Sequence, residues 1–177
     1  MTDWQSLLMR NLMPAIQGNT FWEKYLSDLL SASELRSSIH LAIFVEPFLQ
    51  YLLDGTKEIE SRFSAVRCAP YRSVNKGDVV ILKRTGGPVL GIGLVESAWF
   101  YELEPESWQD IRDNYARALC AVEPGFWEER KHASFATLIR IEQVQSIPPI
   151  RVEKRDRRGW VVIKSPSEQM LLSPDEL

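Results

Sequence analysis

Apolar positions recur at two different periods along this chain, and the change falls near residue 38. Before it, Trp4, Leu7, Leu8 and Leu12 return at helical intervals. Phe21, Tyr25 and Leu29, with Trp22, Leu26 and Leu30, repeat the pattern, and Gly18 separates the two segments. Asn19 or Thr20 can cap the second helix, while Pro14 should end or kink the first. The pattern predicts a helical hairpin that packs on a main domain or offers a face to a partner, and packing is the expected role.

From Ser38 the runs shorten and become β-rich. "IHLAIFV" (39–45) reads as a buried strand, and "EPFLQYLLDG" (46–55) as a short helix stopped by Gly55. "KEIESRF" is the next strand, and "RCAPYRSVNKGD" (67–78) is a loop of turn residues. Strands at 78–84 and 88–103 join through Thr85-Gly86-Gly87, a hairpin signal. Helices are expected at 105–120 and 123–130, and strands at 133–147 and 160–164. Strand pairs joined as hairpins, with helices that do not alternate strictly, predict an α+β fold around a small, mostly antiparallel barrel.

Composition narrows the classes. With 177 residues, 45% hydrophobic and 25% charged, the chain can bury a core of its own. The expected organisation is a helical extension at 1–37, the main domain at 38–164 and a tail at 165–177. No apolar run approaches the roughly 20 residues that span a bilayer. The start has an acid at Asp3 and no cationic stretch, so it does not read as a secretory signal. Cys68 and Cys120 make no disulfide framework, which suits a reducing cytoplasm. His40 and His132 lie in no metal-ligand spacing, so neither a metal nor another cofactor is expected. A net charge of −3 argues against a protein that holds nucleic acid by bulk electrostatics alone. "RVEKRDRR" (151–158) departs from that balance with a local excess of +3, from five basic and two acidic residues. It is either a solvated hairpin tip or a phosphate-contacting loop.

The most distinctive stretch is "GTKEIESR". In a strand Glu58, Glu60 and Arg62 leave from one face, just after Lys57 in a turn. Gly55, Lys57, Glu60 and Arg62 stand in the order G-x-K-x-x-E-x-R, which resembles the signature of ASCH domains in the PUA-like superfamily. A strand and short helix before it, and Gly77-Asp78 ahead of the next strand, extend the resemblance over residues 38–164. It implies a β-barrel with helices closing one side, and a cleft that binds RNA or a modified nucleobase. Some small bacterial members hydrolyse N4-acylated cytidines, and others are linked to ribonuclease or coactivator roles, so the resemblance fixes no single reaction.

The candidate ligand-binding residues are Lys57, Glu60, Arg62, Lys83, Arg84, Trp99 and Tyr101. Lys57 can swing a point charge over the cleft. Glu60 can pair with Arg62, or accept from the exocyclic amine of a base. Of the consecutive Trp99, Phe100 and Tyr101, at least one cannot face the core, and a base can stack there. Lys83, Arg84, Arg67, Arg72, Arg155, Arg157 and Arg158 form a candidate basic rim for an RNA backbone. Trp108, Phe126 and Trp127 either wall the cleft or anchor helices. Gly91 and Gly93 mark a barrel bend or a close approach.

As an amidohydrolase, the alternative reading, the chain would use Lys57 and Glu60 as its catalytic pair. The resembling enzymes carry a threonine where Glu60 stands, so their nucleophile is not carried over. Glu96, Glu102 and Glu106 are candidates for a second carboxylate. A third reading is a protein-interaction adaptor that works through residues 1–37.

Overall fold

The computed structural model describes residues 2–32, 35–154 and 157–166. Arg155 of the expected rim, and the tail beyond residue 166, lie outside them. Helices α1 (Asp3–Ala15) and α2 (Thr20–Ser31) come first, α2 capped by Asn19, whose side chain accepts from Trp22 N. Pro14 sits inside the last turn of α1, which ends one residue later. Strand β1 (Ile39–Phe44), α3 (Phe48–Leu53), β2 (Ile59–Ser64), β3 (Val79–Arg84) and β4 (Val89–Glu102) come next. Helices α4 (Pro105–Tyr115) and α5 (Pro124–Glu128) precede β5 (Phe135–Ile150) and β6 (Trp160–Lys164).

The six strands form one curled sheet in the order β2-β5-β4-β3-β1-β6. Only the β1–β3 neighbours run parallel, so the sheet is mostly antiparallel, the α+β half-barrel that the strand pattern predicts. Strands β2 and β6 are its two edges. The curl brings them close enough for Arg62 of β2 to hydrogen-bond Gly159, the residue before β6, across the seam between the edges.

Sheet residues divide by parity. Ile39, Leu41, Val79 and Ile81 meet Leu8, Leu12, Trp22 and Leu26 of the N-terminal helices in one apolar cluster. Ala42, Phe44, Val80 and Leu82 face the interior with Leu49, Leu52 and Trp160. Burial on both faces explains why β1 and β3 read as continuous apolar runs. A third cluster places α4, α5 and the turn between them against β2, β4 and β5 through Ile111, Trp127 and Leu119.

Candidate functional site

The motif is tied down before β2 begins. Gly55 follows α3 with φ 80°, a left-handed turn that glycine adopts without steric penalty. Lys57 N then donates to Tyr51 O at 2.8 Å, while Glu58 N and Ile59 N both donate to Ala118 O at 3.1 Å. Strand β2 pairs with β5 in a register that sets Glu60 opposite Ile139 and Arg62 opposite Thr137. Two residues apart, Glu60 and Arg62 share a face. Glu58 precedes the strand; it is exposed and lies 4.0 Å from Arg140.

Lys57, Glu60 and Arg62 form one chain of charge, buried at Lys57 and Glu60 and partly exposed at Arg62. Lys57 Nζ donates to Leu119 O at 2.7 Å, lies 3.5 Å from Glu60 Oε2, and sits 5.0 Å from the centre of the Phe48 ring. It is therefore a fixed, inward-pointing cation rather than a freely swinging one. Burial lowers its pKa, and the Glu60 charge partly offsets that shift. Glu60 Oε1 lies 2.8 Å from Arg62 Nε, so a single carboxylate bridges both cations.

Arg62 is clasped across the seam. Its guanidinium carbon lies 4.9 Å from the Phe44 ring and 5.3 Å from the Trp160 ring, and Nη1 donates to Gly159 O at 3.2 Å. The side chain thus links edge β2 to the start of edge β6. Nε and Nη2 are shut off from solvent without a hydrogen-bond partner; the close Glu60 oxygen lies off the N–H direction, and its contact is Coulombic. Leaving a buried donor unsatisfied costs about 1–3 kcal/mol, which makes these two atoms conspicuous.

Trp160 is itself held. Its Nε1 donates to His40 Nδ1 at 3.1 Å, which leaves His40 Nε2–H to donate to Asp78 Oδ2 at 3.0 Å. Asp78 also accepts from Ser38 N and Asn75 N, both at 2.7 Å. The Gly77-Asp78 pair thus reaches the site through His40 and the Trp160 indole.

Two cavities flank Arg62. The first, about 210 Å³, is lined by Phe44, Phe48, Phe63 and Phe126 around Lys57, Glu60, Arg62 and Arg130. Three basic residues against one acid give it a positive lining in a chain of net charge −3. The Arg130 guanidinium lies over the Phe126 ring at 3.8 Å. The second, about 200 Å³, lies beyond Arg62 and Phe63, among Tyr71, Phe135, Thr137, Gly159 and Trp160.

Other candidate residues lie outside both cavities. Lys83 is buried at the hairpin, where Nζ donates to Arg84 O and Gly87 O, and Arg84 pairs with Glu46 at 2.8 Å. Trp99 and Tyr101 pack in the cluster beneath α4, and burial, with Tyr115, raises the Tyr101 phenol well above its ordinary pKa. Arg67 pairs with Glu102, and Glu96 lies near Lys76 and accepts from Ser97. Trp127 is an anchor, donating Nε1 to Ala121 O; Trp108 stacks on Phe63. A Cβ on Gly93 would lie 2.4 Å from Ile141, and one on Gly91 2.6 Å from Leu53, so both glycines admit core side chains. Among the described residues no group of three His, Cys, Asp or Glu could hold a metal ion.

The cavity-lining residues that the sequence pattern does not single out include Phe44, Phe48, Tyr71, Arg130, Phe135 and Trp160. Phe44 and Phe48 flank the strand-to-helix turn just ahead of the motif, a proximity that is legible. Trp160 lies nearly a hundred residues downstream, and only the sheet order brings it to Arg62.

No family model matches the chain, and no curated protein matches it. Among solved structures it is similar to an ASCH protein of Zymomonas mobilis, with TM-score 0.52 and 18% identity over 63% of this chain and 72% of that one. A serine-to-alanine variant of the same protein aligns with TM-score 0.58 and 14% identity, over 75% of this chain and 93% of that one. At these identities the likeness establishes the fold, an ASCH-type, PUA-like half-barrel.

Proposed function

We propose that this ASCH-fold domain is a recognition module that binds RNA or a modified nucleobase in the cavity over Lys57, Glu60 and Arg62. The observation that supports this reading is the pairing of a buried, positively biased polar floor with four phenylalanine walls. Flat apolar walls suit a planar ring, and convergent polar groups suit its edge. At about 210 Å³ the space falls below the roughly 300–1,000 Å³ of pockets for drug-sized ligands, which favours a single small ring system. Glu60 can accept from an exocyclic amine, and the cations can donate to a ring carbonyl or a phosphate.

The test is calorimetric titration of the full chain with cytidine, N4-acetylcytidine and a short single-stranded RNA, with turnover followed in parallel. The expected result is binding that weakens at least tenfold in Lys57→Ala, without bond cleavage. No Lys57-dependent binding of any probe overturns the reading.

One observation favours the amidohydrolase alternative: burial lowers the pKa of Lys57 beside a carboxylate, a setting that suits proton transfer. Against it, Glu60 is the one carboxylate among the described residues that line the cavity, and both of its oxygens face cations. Lys57-dependent release of acetate from N4-acetylcytidine would reverse the ranking.

A further inference from the structure

The chamber beyond Arg62 has a composition of its own. Two residues of its lining, Arg62 and Tyr71, each hold a donor just behind the chamber surface, Nη2 and Oη, that is shut off from solvent and has no hydrogen-bond partner. Such a pair calls for an acceptor from outside the chain. Three rings, Tyr71, Phe135 and Trp160, stand around them, and Trp160 is fixed in place by His40. Two of the rings are backed by arginines: Arg67 lies 5.2 Å from the Phe135 centroid and Arg72 lies 5.6 Å from that of Tyr71.

We infer that this chamber is a second subsite, which takes the base of a neighbouring nucleotide through a ring carbonyl. The inference rests on reading the first cavity as a base site. A ring carbonyl supplies the oxygen that the two donors lack, and the ring itself uses the aromatic walls, which a bare phosphate would leave unused. Binding turns the guanidinium about its stem, and the Tyr71 hydroxyl about its ring, so that Nη2 and Oη meet the incoming oxygen. The two chambers share Arg62 and Phe63 as a partition and together offer about 410 Å³, within the roughly 300–1,000 Å³ range of small-molecule pockets. Arg62 thereby becomes a divider between two bases.

The experiment compares three probes by calorimetry on the full chain: cytidine, cytidine 3′,5′-bisphosphate and the trinucleotide UpCpU. The bisphosphate carries both flanking phosphates without flanking bases. UpCpU should bind roughly tenfold tighter than the bisphosphate, the scale of one stacked base. Tyr71→Phe and Phe135→Leu should each remove much of that gain while cytidine binding stays unchanged. Tyr71→Phe deletes a hydroxyl that has no partner, so the thermal midpoint should stay level or rise. Equal binding of UpCpU and the bisphosphate overturns the subsite, as does a gain that neither substitution moves. If cytidine binds in a Lys57-dependent way in those cases, the first cavity keeps its reading and only the second loses it. No Lys57-dependent binding of any probe overturns both.

Discussion

Glu60 holds two like charges that would otherwise repel inside the fold. With both its oxygens beside cations and 5% of its surface exposed, it belongs to the class of buried partners whose removal strands a charge. Glu60→Gln should therefore cost about 3–5 kcal/mol of unfolding free energy, read from urea melts. Lys57 adds a pH signature. Its pKa is lowered by burial, so between that value and the ordinary 10.5 the unfolded chain binds more protons than the folded one. Stability contributed by this group must then rise as pH climbs towards 10.5. Comparing urea midpoints of the wild type and Lys57→Met across that alkaline window isolates the effect: the wild type should gain on the variant as pH increases. Trp160 gives a third case. Trp160→Phe keeps a ring beside Arg62 but leaves buried His40 Nδ1 without its donor, so a loss of about 1–3 kcal/mol is expected. Its companion His40→Gln should loosen the indole without touching the motif, and the Trp160 indole N–H resonance would report it.

At the level of elements, much of the fold is legible in the sequence because local signals and tertiary demands agree. The parity of β1 and β3, the cap at Asn19 and the stop at Gly55 all work within a few residues of themselves. Legibility fails where distant partners decide. The helix expected over 105–120 ends at Tyr115, because residues 116–120 are turns whose carbonyls receive the motif: Ala118 O from residues 58 and 59, Leu119 O from Lys57. In the same way, Trp99 and Tyr101 look available for stacking because alternation alone cannot say that α4 covers the outer side of β4. Two of the basic residues, Arg67 and Arg84, pair with Glu102 and Glu46, partners too remote in sequence for the pairing to be legible. Gly93 is legible as a special strand position, and the structure makes its reason concrete. Register shifts bracket it on β4, and Ile141 fills the space of its missing side chain. Gly93→Ala should cost about 1–3 kcal/mol by overpacking. Gly125→Ala in α5, where a Cβ meets nothing within 4 Å, should be neutral or slightly stabilising. Thermal melts of the two variants side by side check that contrast.

Across the whole molecule the open question is whether residues 3–31 are an attachment or part of the domain. Leu8, Leu12, Ile16, Trp22 and Leu26 are almost fully buried, in one cluster with residues of β1, β3, β4 and β5. Polar links run the same way: Trp22 Nε1 donates to Gln143 O at 2.9 Å, and Tyr25 Oη to Gly77 O at 2.6 Å. The second of these reaches the residue before Asp78, and Asp78 sets His40 and so Trp160. A shared core of this kind predicts one cooperative transition, because Ile39, Leu41, Val79 and Ile81 are buried in the same cluster as the N-terminal helices. Leu26→Ala, a buried truncation in the N-terminal helices, well apart in sequence from the candidate site, should cost about 2–5 kcal/mol. The decisive point is how that loss is distributed. In a single unit, far-ultraviolet circular dichroism and the native indole N–H resonance of Trp160, bonded to His40, are lost together at the same lower denaturant midpoint. In a chain whose helices serve only as a partner-binding attachment, the helical signal melts early while the Trp160 transition stays where it was. Deleting residues 1–37 gives the same answer by another route: the remaining chain should aggregate, since it would expose a contiguous apolar sheet face. A monodisperse, folded 38–177 fragment that still binds cytidine would return the helices to the role of an interaction surface.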